Sequence, residues 1–184
     1  LQHSDDVLWS RIWAKYRNPI TAQLGRYRIH IDTPHGVQRC RQLHRAVEGR
    51  DTRPAITWTM MEQWLARGWG HTYIATEGDT MVAYIYVIDY KRKACWMSGK
   101  RAEGASLHGL IWSAMRHLRD RGVTQLEMGW QGQARDEKGM RVELFKTRFG
   151  GVDVPVYGLD IYYEAREKRI YSGGALHPIA RLKL

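Results

Sequence analysis

Cysteine is scarce in this sequence of 184 residues: only Cys40 and Cys95 occur. Two thiols exclude a disulfide framework and a cysteine-rich zinc site, and the simplest reading is a reduced, cytoplasmic chain. Among the eight histidines no pair shows zinc-ligand spacing with acidic or Cys companions, so no metal is expected. Long hydrophobic runs are absent too. The longest apolar uncharged stretch, Thr80 to Ile88, is far short of the ~20 residues a membrane span needs. The amino end, Leu1-Gln2-His3-Ser4-Asp5-Asp6, lacks a basic start and an apolar core, so no secretory signal is expected there. No repeat, low-complexity tract or Pro/Gly/Ser linker divides the chain. Its length suits one domain with an ample core, expected over residues 21–165, with a basic helical segment at 1–20 and a basic irregular tail at 166–184.

Acidic residues are also in short supply. Lys and Arg number 29 against 19 Asp and Glu, a net charge of +10, and the pI is about 9.8. The excess is concentrated at the front, where residues 1–50 carry nine basic and four acidic side chains. Such a balance suits a polyanionic partner, whether a phosphorylated cofactor, nucleic acid or an anionic surface, and equally a solvated basic surface.

Apolar spacing predicts a helix from Asp6 to Tyr16 stopped by Asn18-Pro19, then an alternating strand from Arg26 to Asp32. A second helix spans Val37 to Val47, with Val37, Leu43, Ala46 and Val47 toward the core and Gly49 at its end. A third runs to Leu65, capped by Thr57 or Thr59. Residues 71–76 and 81–88 form a hairpin around Glu77-Gly78-Asp79-Thr80, and Ala94 to Ser98 adds a third strand. Ser106 opens a helix whose Leu107, Leu110, Ile111, Ala114, Met115 and Leu118 make one apolar stripe. A short strand, Thr124 to Met128, precedes a helix from Glu137 to Phe149 and a last long strand from Val154 to Glu164. This order predicts an α/β fold, a mixed and mainly antiparallel sheet with helices on both faces. Tyr84, Tyr86 and Tyr90 share one strand face, as a packed sheet surface or as an aromatic groove.

Two segments carry chemistry. The first is Ser98-Gly99-Lys100-Arg101-Ala102-Glu103-Gly104-Ala105-Ser106, between a strand and a helix. Gly104, Ala105 and Ser106 are small enough for close backbone approach, the helix start offers unpaired N–H donors, and Lys100 and Arg101 add charge. These would hold a pyrophosphate; the same residues also make an ordinary loop in which Ser106 caps the helix and Gly104 turns the chain. The second is Phe145-Lys146-Thr147-Arg148-Phe149-Gly150-Gly151, read from its residues as an amphipathic helix. In it Val142, Phe145 and Phe149 would face the core, with Lys146 and Arg148 solvated.

The element order and the first segment resemble the GNAT fold of N-acetyltransferases. Its pyrophosphate loop, Gln/Arg-x-x-Gly-x-Gly/Ala, is matched by Arg101 and Gly104, with Ser106 at the last position. The second segment, preceded by Gly122 and Leu126-Glu127-Met128-Gly129, resembles the Fem-type branch of that superfamily. There a short Asp-Leu-Gly strand is followed by Phe-Lys-x-x-Phe-Gly-Gly, and Glu127 stands here where Asp is usual. Fem proteins contain two GNAT-like halves, of which only the second is recognisable in this chain.

The resemblance implies acyl transfer from an acyl-CoA such as acetyl-CoA to a primary amine, a small molecule or a cell-envelope component. Lys100, Arg101, Gly104, Ala105, Ser106 and Phe145 would bind the cofactor. Lys146 would stabilise the tetrahedral oxyanion, with backbone N–H groups beside Ser98 as another donor, and Glu127 would act as general base directly or through water. Glu127 paired with a nearby cation is the plainer reading of that carboxylate. His108, in the first turn of the loop helix, is set aside as a passive surface histidine. Two alternatives stand beside this: a Fem-like aminoacyltransferase using charged tRNA, and a non-catalytic GNAT-like module that binds nucleic acid or a partner through its basic surface.

Overall fold

The computed structural model describes residues 3–33, 35–130, 136–156, 160–163, 168–171 and 177–183. Two helices, α1 (Asp5–Arg11) and α2 (Ala14–Arg26), precede strand β1 (Arg28–Ile31). Helices α3 (Gly36–Glu48) and α4 (Ala55–Ala66) lead into the meander β2 (Gly70–Glu77), β3 (Thr80–Tyr90) and β4 (Lys93–Arg101). Then follow α5 (His108–Asp120), β5 (Gln125–Trp130), α6 (Glu137–Thr147), β6 (Val152–Val156), β7 (Asp160–Tyr163), β8 (Lys168–Tyr171) and β9 (His177–Lys183). The main sheet has the order β1-β2-β3-β4-β5-β9-β6, while β7 and β8 pair separately. All its pairings are antiparallel except β4 with β5, which is the mixed, mainly antiparallel plan expected.

Strand β3 shows why helices cover both faces. Its period of two sends Ala83, Ile85 and Val87 into one core with α1, α2 and α5, and Tyr84 and Tyr86 into a second core under α3 and α4. Tyr84 and Tyr86 are therefore packed side chains, and only Tyr90 of that trio is exposed. The apolar stripe of α5 is buried as its spacing predicts, with Leu110, Ile111, Ala114, Met115 and Leu118 all under 2% exposed. At the far end of the meander His71 is wedged between carboxylates, its ring nitrogens 2.6 Å from Asp32 Oδ2 and 3.2 Å from Asp89 Oδ2.

Several local expectations are corrected. Pro19 lies inside α2 rather than ending a helix. There it forfeits the bond to the Lys15 carbonyl and crowds that carbonyl, and the fully buried Ile20 holds the segment down. The helix also crosses residue 20, and its Tyr16 and Ile20 share a core with Ile85 and Leu110. In α3 the buried face is Val37, Cys40 and His44, while Ala46 and Val47 are exposed. Helix α4 starts after Pro54, so Thr57 and Thr59 are interior rather than capping. Val142 of α6 is exposed, and Arg148 is not free in solvent but stacks on Trp13 at 3.8 Å. The expected last strand is two, β6 and β7, and residues 177–183 of the expected irregular tail are β9, inserted between β5 and β6.

Candidate active site

The parallel contact between β4 and β5 is short. Only Lys93, Ala94 and Cys95 pair with Gln125, Leu126 and Glu127. Beyond that point β4 runs on to Arg101 and β5 to Trp130 without pairing to each other, so the sheet opens into a cleft. Both strands are distorted at the opening. In β4 Tyr86 pairs with Ser98 and Val87 with Trp96, leaving Met97 as the extra residue of a bulge. In β5 Gly129 takes φ +87°, where the register with β9 also shifts.

A cavity of about 1060 Å³ occupies this cleft, walled by β4, the loop after it, the start of α5, β5 and α6. Of the expected site residues, Lys100, Arg101, Gly104, Ala105, Ser106, Phe145 and Lys146 line it, bringing the two sequence segments together across the split sheet. Glu127 does not line it. Its carboxylate faces Cys95 at the apex of the cleft, Oε1 3.8 Å from the thiol sulfur. Burial, with Glu127 beside it, pushes the Cys95 thiol up to about 12, so this sulfur is no thiolate nucleophile at neutral pH.

The phosphate-loop cations are held by the protein itself. Both stand on β4 rather than in a loop. Lys100 is ion-paired with Glu48 of α3, and the Arg101 guanidinium donates to the Ala105 carbonyl at 2.8 Å, closing the loop around Gly104. Gly104 adopts φ +73°, and no atom lies within 4 Å of the point where a side chain would begin, so the glycine serves the turn and leaves the space above it open. At the start of α5, Gly109 N–H donates to Gln23 Oε1 at 2.8 Å and His108 N–H to Ser106 Oγ at 3.3 Å. The N–H groups of Ser106 and Leu107 have no partner among the described residues. They remain as the donors for an anion at this helix start.

On the opposite wall α6 is capped by Asp136, whose side chain accepts from Gly139 N–H at 2.7 Å. The helix carries Phe145 and Lys146 into the cavity. Phe149, 1% exposed, anchors its end, with its ring centroid 5.3 Å from that of Phe145. Gly150, at φ +86°, lets the chain pass against Arg11: a methyl there would meet the Arg11 carbonyl oxygen at 2.7 Å. The Lys146 ammonium lies over β5, 3.3 Å from where a Gly129 side chain would begin. Burial lowers its pKa from the ordinary lysine value, opposed by Glu143 and then Cys95.

Among the lining residues not expected at the site, four bear on its chemistry. Arg53 reaches across from the α3–α4 connection to the Met97 carbonyl at 3.1 Å, and Arg141 of α6 adds a further cation. Trp96 lies across Gly99, where any side chain would collide with its indole at 2.9 Å. His108 is no passive surface group: its ring stands edge-on to Tyr16 and Phe145 at 4.3 and 5.0 Å, and Nδ1 meets Ser106 Oγ. Burial, aided by Arg101, pushes its imidazole down to about 4. In all, five basic side chains and one carboxylate, Glu137, line the cavity, which suits an anionic ligand. Among the described residues no cluster could hold a metal ion and no helix is long and apolar enough to cross a membrane.

Comparison with known proteins bears on this geometry. The family profile of the acetyltransferase (GNAT) domain matches residues 14–138, ending before the Phe145–Gly151 segment. Among solved structures, FemX superposes with a TM-score of 0.66 at 11% identity, covering 81% of this chain and 56% of FemX. The chain thus spans a little over half the length of that protein. An acetyltransferase from Streptococcus agalactiae (TM-score 0.54, 14% identity) is covered over 98% of its length by 85% of this chain. An acetyltransferase from Bacillus subtilis, solved in complex with CoA (TM-score 0.51, 13% identity), is covered over 99% by 86% of this chain. No curated protein matches by sequence. These structures share the overall α/β fold of this chain, and the profile match over most of its length settles membership: the protein belongs to the GNAT acetyltransferase family and is an acyltransferase.

Proposed function

We propose that the protein transfers an acyl group from acyl-CoA, acetyl-CoA in the simplest case, to a primary amine. The observation that carries this reading is the meeting of two distant segments in one cavity: the Arg101–Ser106 loop with its free N–H donors on one wall and Lys146 on the other. The loop would take the pyrophosphate, as small residues at a helix start do. The pantetheine arm would lie along the opening between β4 and β5, and the thioester carbonyl would point toward Lys146 and the bulge at Met97. An amine attacking that carbon forms the C–N bond, and collapse of the oxyanion breaks the C–S bond, the thiolate leaving with the electron pair. The Lys146 cation would stabilise the oxyanion between those events. Glu127, which stands outside the cavity wall, would reach the amine only through water. Such a donor would suit a cytoplasmic reaction.

Isothermal titration with CoA and acetyl-CoA at moderate salt tests the reading. Saturable binding that weakens in Arg101→Ala is the expected result, and absence of heat at high protein concentration removes acyl-CoA as donor. The Phe145-Lys146 pair and the FemX superposition favour a second reading, an aminoacyltransferase fed by charged tRNA. Under it, tRNA binding would fall steeply with salt yet still depend on the esterified amino acid. Binding of uncharged nucleic acid alone, with neither donor recognised, would mark a non-catalytic module.

A further inference from the structure

Behind the bulge in β4 runs an unbroken chain of side-chain hydrogen bonds with no part in the acyl-transfer steps so far described. Ser98 Oγ lies 3.0 Å from Tyr84 Oη, Tyr84 Oη 2.7 Å from His44 Nδ1, and His44 Nε2 2.7 Å from Thr52 Oγ1. Ser98 lines the catalytic cavity, and Thr52 is exposed at a second opening shared with His44, Glu48, Arg53, Gly99 and Lys100. Between them Tyr84 is 0% and His44 4% exposed. Each hydroxyl both donates and accepts, and an imidazole carries one donor and one acceptor, so every link can hand a proton to the next.

We propose that Ser98, Tyr84 and His44 form a proton relay that draws the proton from the attacking amine and releases it to solvent at Thr52. The inference rests on the acyl-CoA reading. As the amine attacks, its N–H proton passes to Ser98 Oγ, the Ser98 proton to Tyr84 Oη, and the Tyr84 proton to the lone pair on His44 Nδ1. The C–S bond then breaks and the thiolate departs with its electrons. The imidazolium loses a proton from Nε2 through Thr52 to water, and tautomer exchange restores the starting ring. Ser98 is the residue in contact with substrate; Tyr84 and His44 act through it.

The surroundings fit a neutral acceptor. Burial first, then the cations Lys100 of β4 and Arg53 of the α3–α4 connection, lower the His44 pKa; Glu48 of α3 and Asp51 oppose them. From α4, Trp58 stands edge-on with ring centroids 5.5 Å apart and fixes the ring plane. Burial pushes the Tyr84 phenol up, so it conducts as a neutral hydroxyl. Glu127, by contrast, faces Cys95 rather than the cavity.

The test follows CoA release from acetyl-CoA with propylamine, glucosamine and alanyl-alanine as acceptor probes, over about pH 5 to 9. In wild type kcat is expected to fall on the acidic side as His44 protonates. Tyr84→Phe, Ser98→Ala and His44→Gln should each lower kcat on the order of 10²-fold, leave KM for acetyl-CoA within about twofold and abolish the acidic limb. The double variant Ser98→Ala/Tyr84→Phe should be no slower than either single one. Thr52→Val, at the exposed end, provides a variant whose folding is not at stake and should slow turnover with an altered solvent isotope effect. Variants with wild-type melting temperatures that keep kcat and the acidic limb overturn the relay alone. Wild type that releases no CoA with any probe removes the acyl-CoA reading, and the relay with it.

Discussion

Replacing Lys146 by methionine keeps an unbranched side chain of similar length and removes the charge. The ammonium sits 3.3 Å from the point where a Gly129 side chain would begin, at the mouth of the β4–β5 split, and is partly buried. A full charge pair at ~4 Å in surroundings of effective dielectric ~20 is worth about 4 kcal/mol. Water entering the vacated space would restore part of that. The expected loss is therefore about 10²–10³ in kcat, the range for removing one oxyanion donor. CoA release from acetyl-CoA with the same amine probes measures it, alongside titration with CoA, whose affinity should hardly change because the proposed phosphate loop is on the other wall. Since burial lowers the Lys146 pKa, wild-type kcat should also decline on the alkaline side, starting below the ordinary lysine range, and Lys146→Met should lack that decline. A folded Lys146→Met enzyme with kcat within about twofold of wild type would refute the oxyanion assignment.

Gly150→Ala is expected to destabilise the fold by about 2–4 kcal/mol, since it forces a side chain into φ +86° and against the Arg11 carbonyl; urea unfolding that shows no change in midpoint would contradict the packing of α6 on the amino-terminal helices. His108 gives a pH signature. Its imidazole is held down to about 4 in the folded chain, so the unfolded chain binds more protons between that value and the ordinary histidine range near 6.5. Stability should be complete above about 6.5 and decline as pH falls toward 4. His108→Phe should flatten that slope in thermal melts, and an unchanged slope would show the ring to be solvated.

Much of the fold was legible because it depends on local spacing. The stripe along α5, the turn at Glu77–Thr80 and the alternation of β3 each follow from the period of a helix or strand, and each appears where expected. Errors fall where distant parts override local signals. Pro19 reads as a stop, yet α2 carries it because Ile20 is buried against the sheet. Lys100 and Arg101 read as loop cations, but pairing with Tyr84 and Ala83 draws them into β4, where Lys100 pairs with Glu48 and Arg101 donates to the Ala105 carbonyl. His108 reads as a surface residue because nothing nearby announces that Tyr16 and Phe145 will enclose it.

By itself the sequence determined the class of fold, the excess of basic charge and the two segments that line the cavity. Those properties reside in composition and in residues a few positions apart. Only the tertiary structure decided where the sheet splits, because the β4–β5 pairing stops after Cys95 and Glu127, residues 32 positions apart in the chain. It alone brought Lys146 opposite the Arg101–Ser106 loop, set Glu127 outside the cavity, and aligned Thr52, His44, Tyr84 and Ser98 into one chain of hydrogen bonds. Those relations cross between strands and helices on different faces, and a one-dimensional order of residues carries no distance between them.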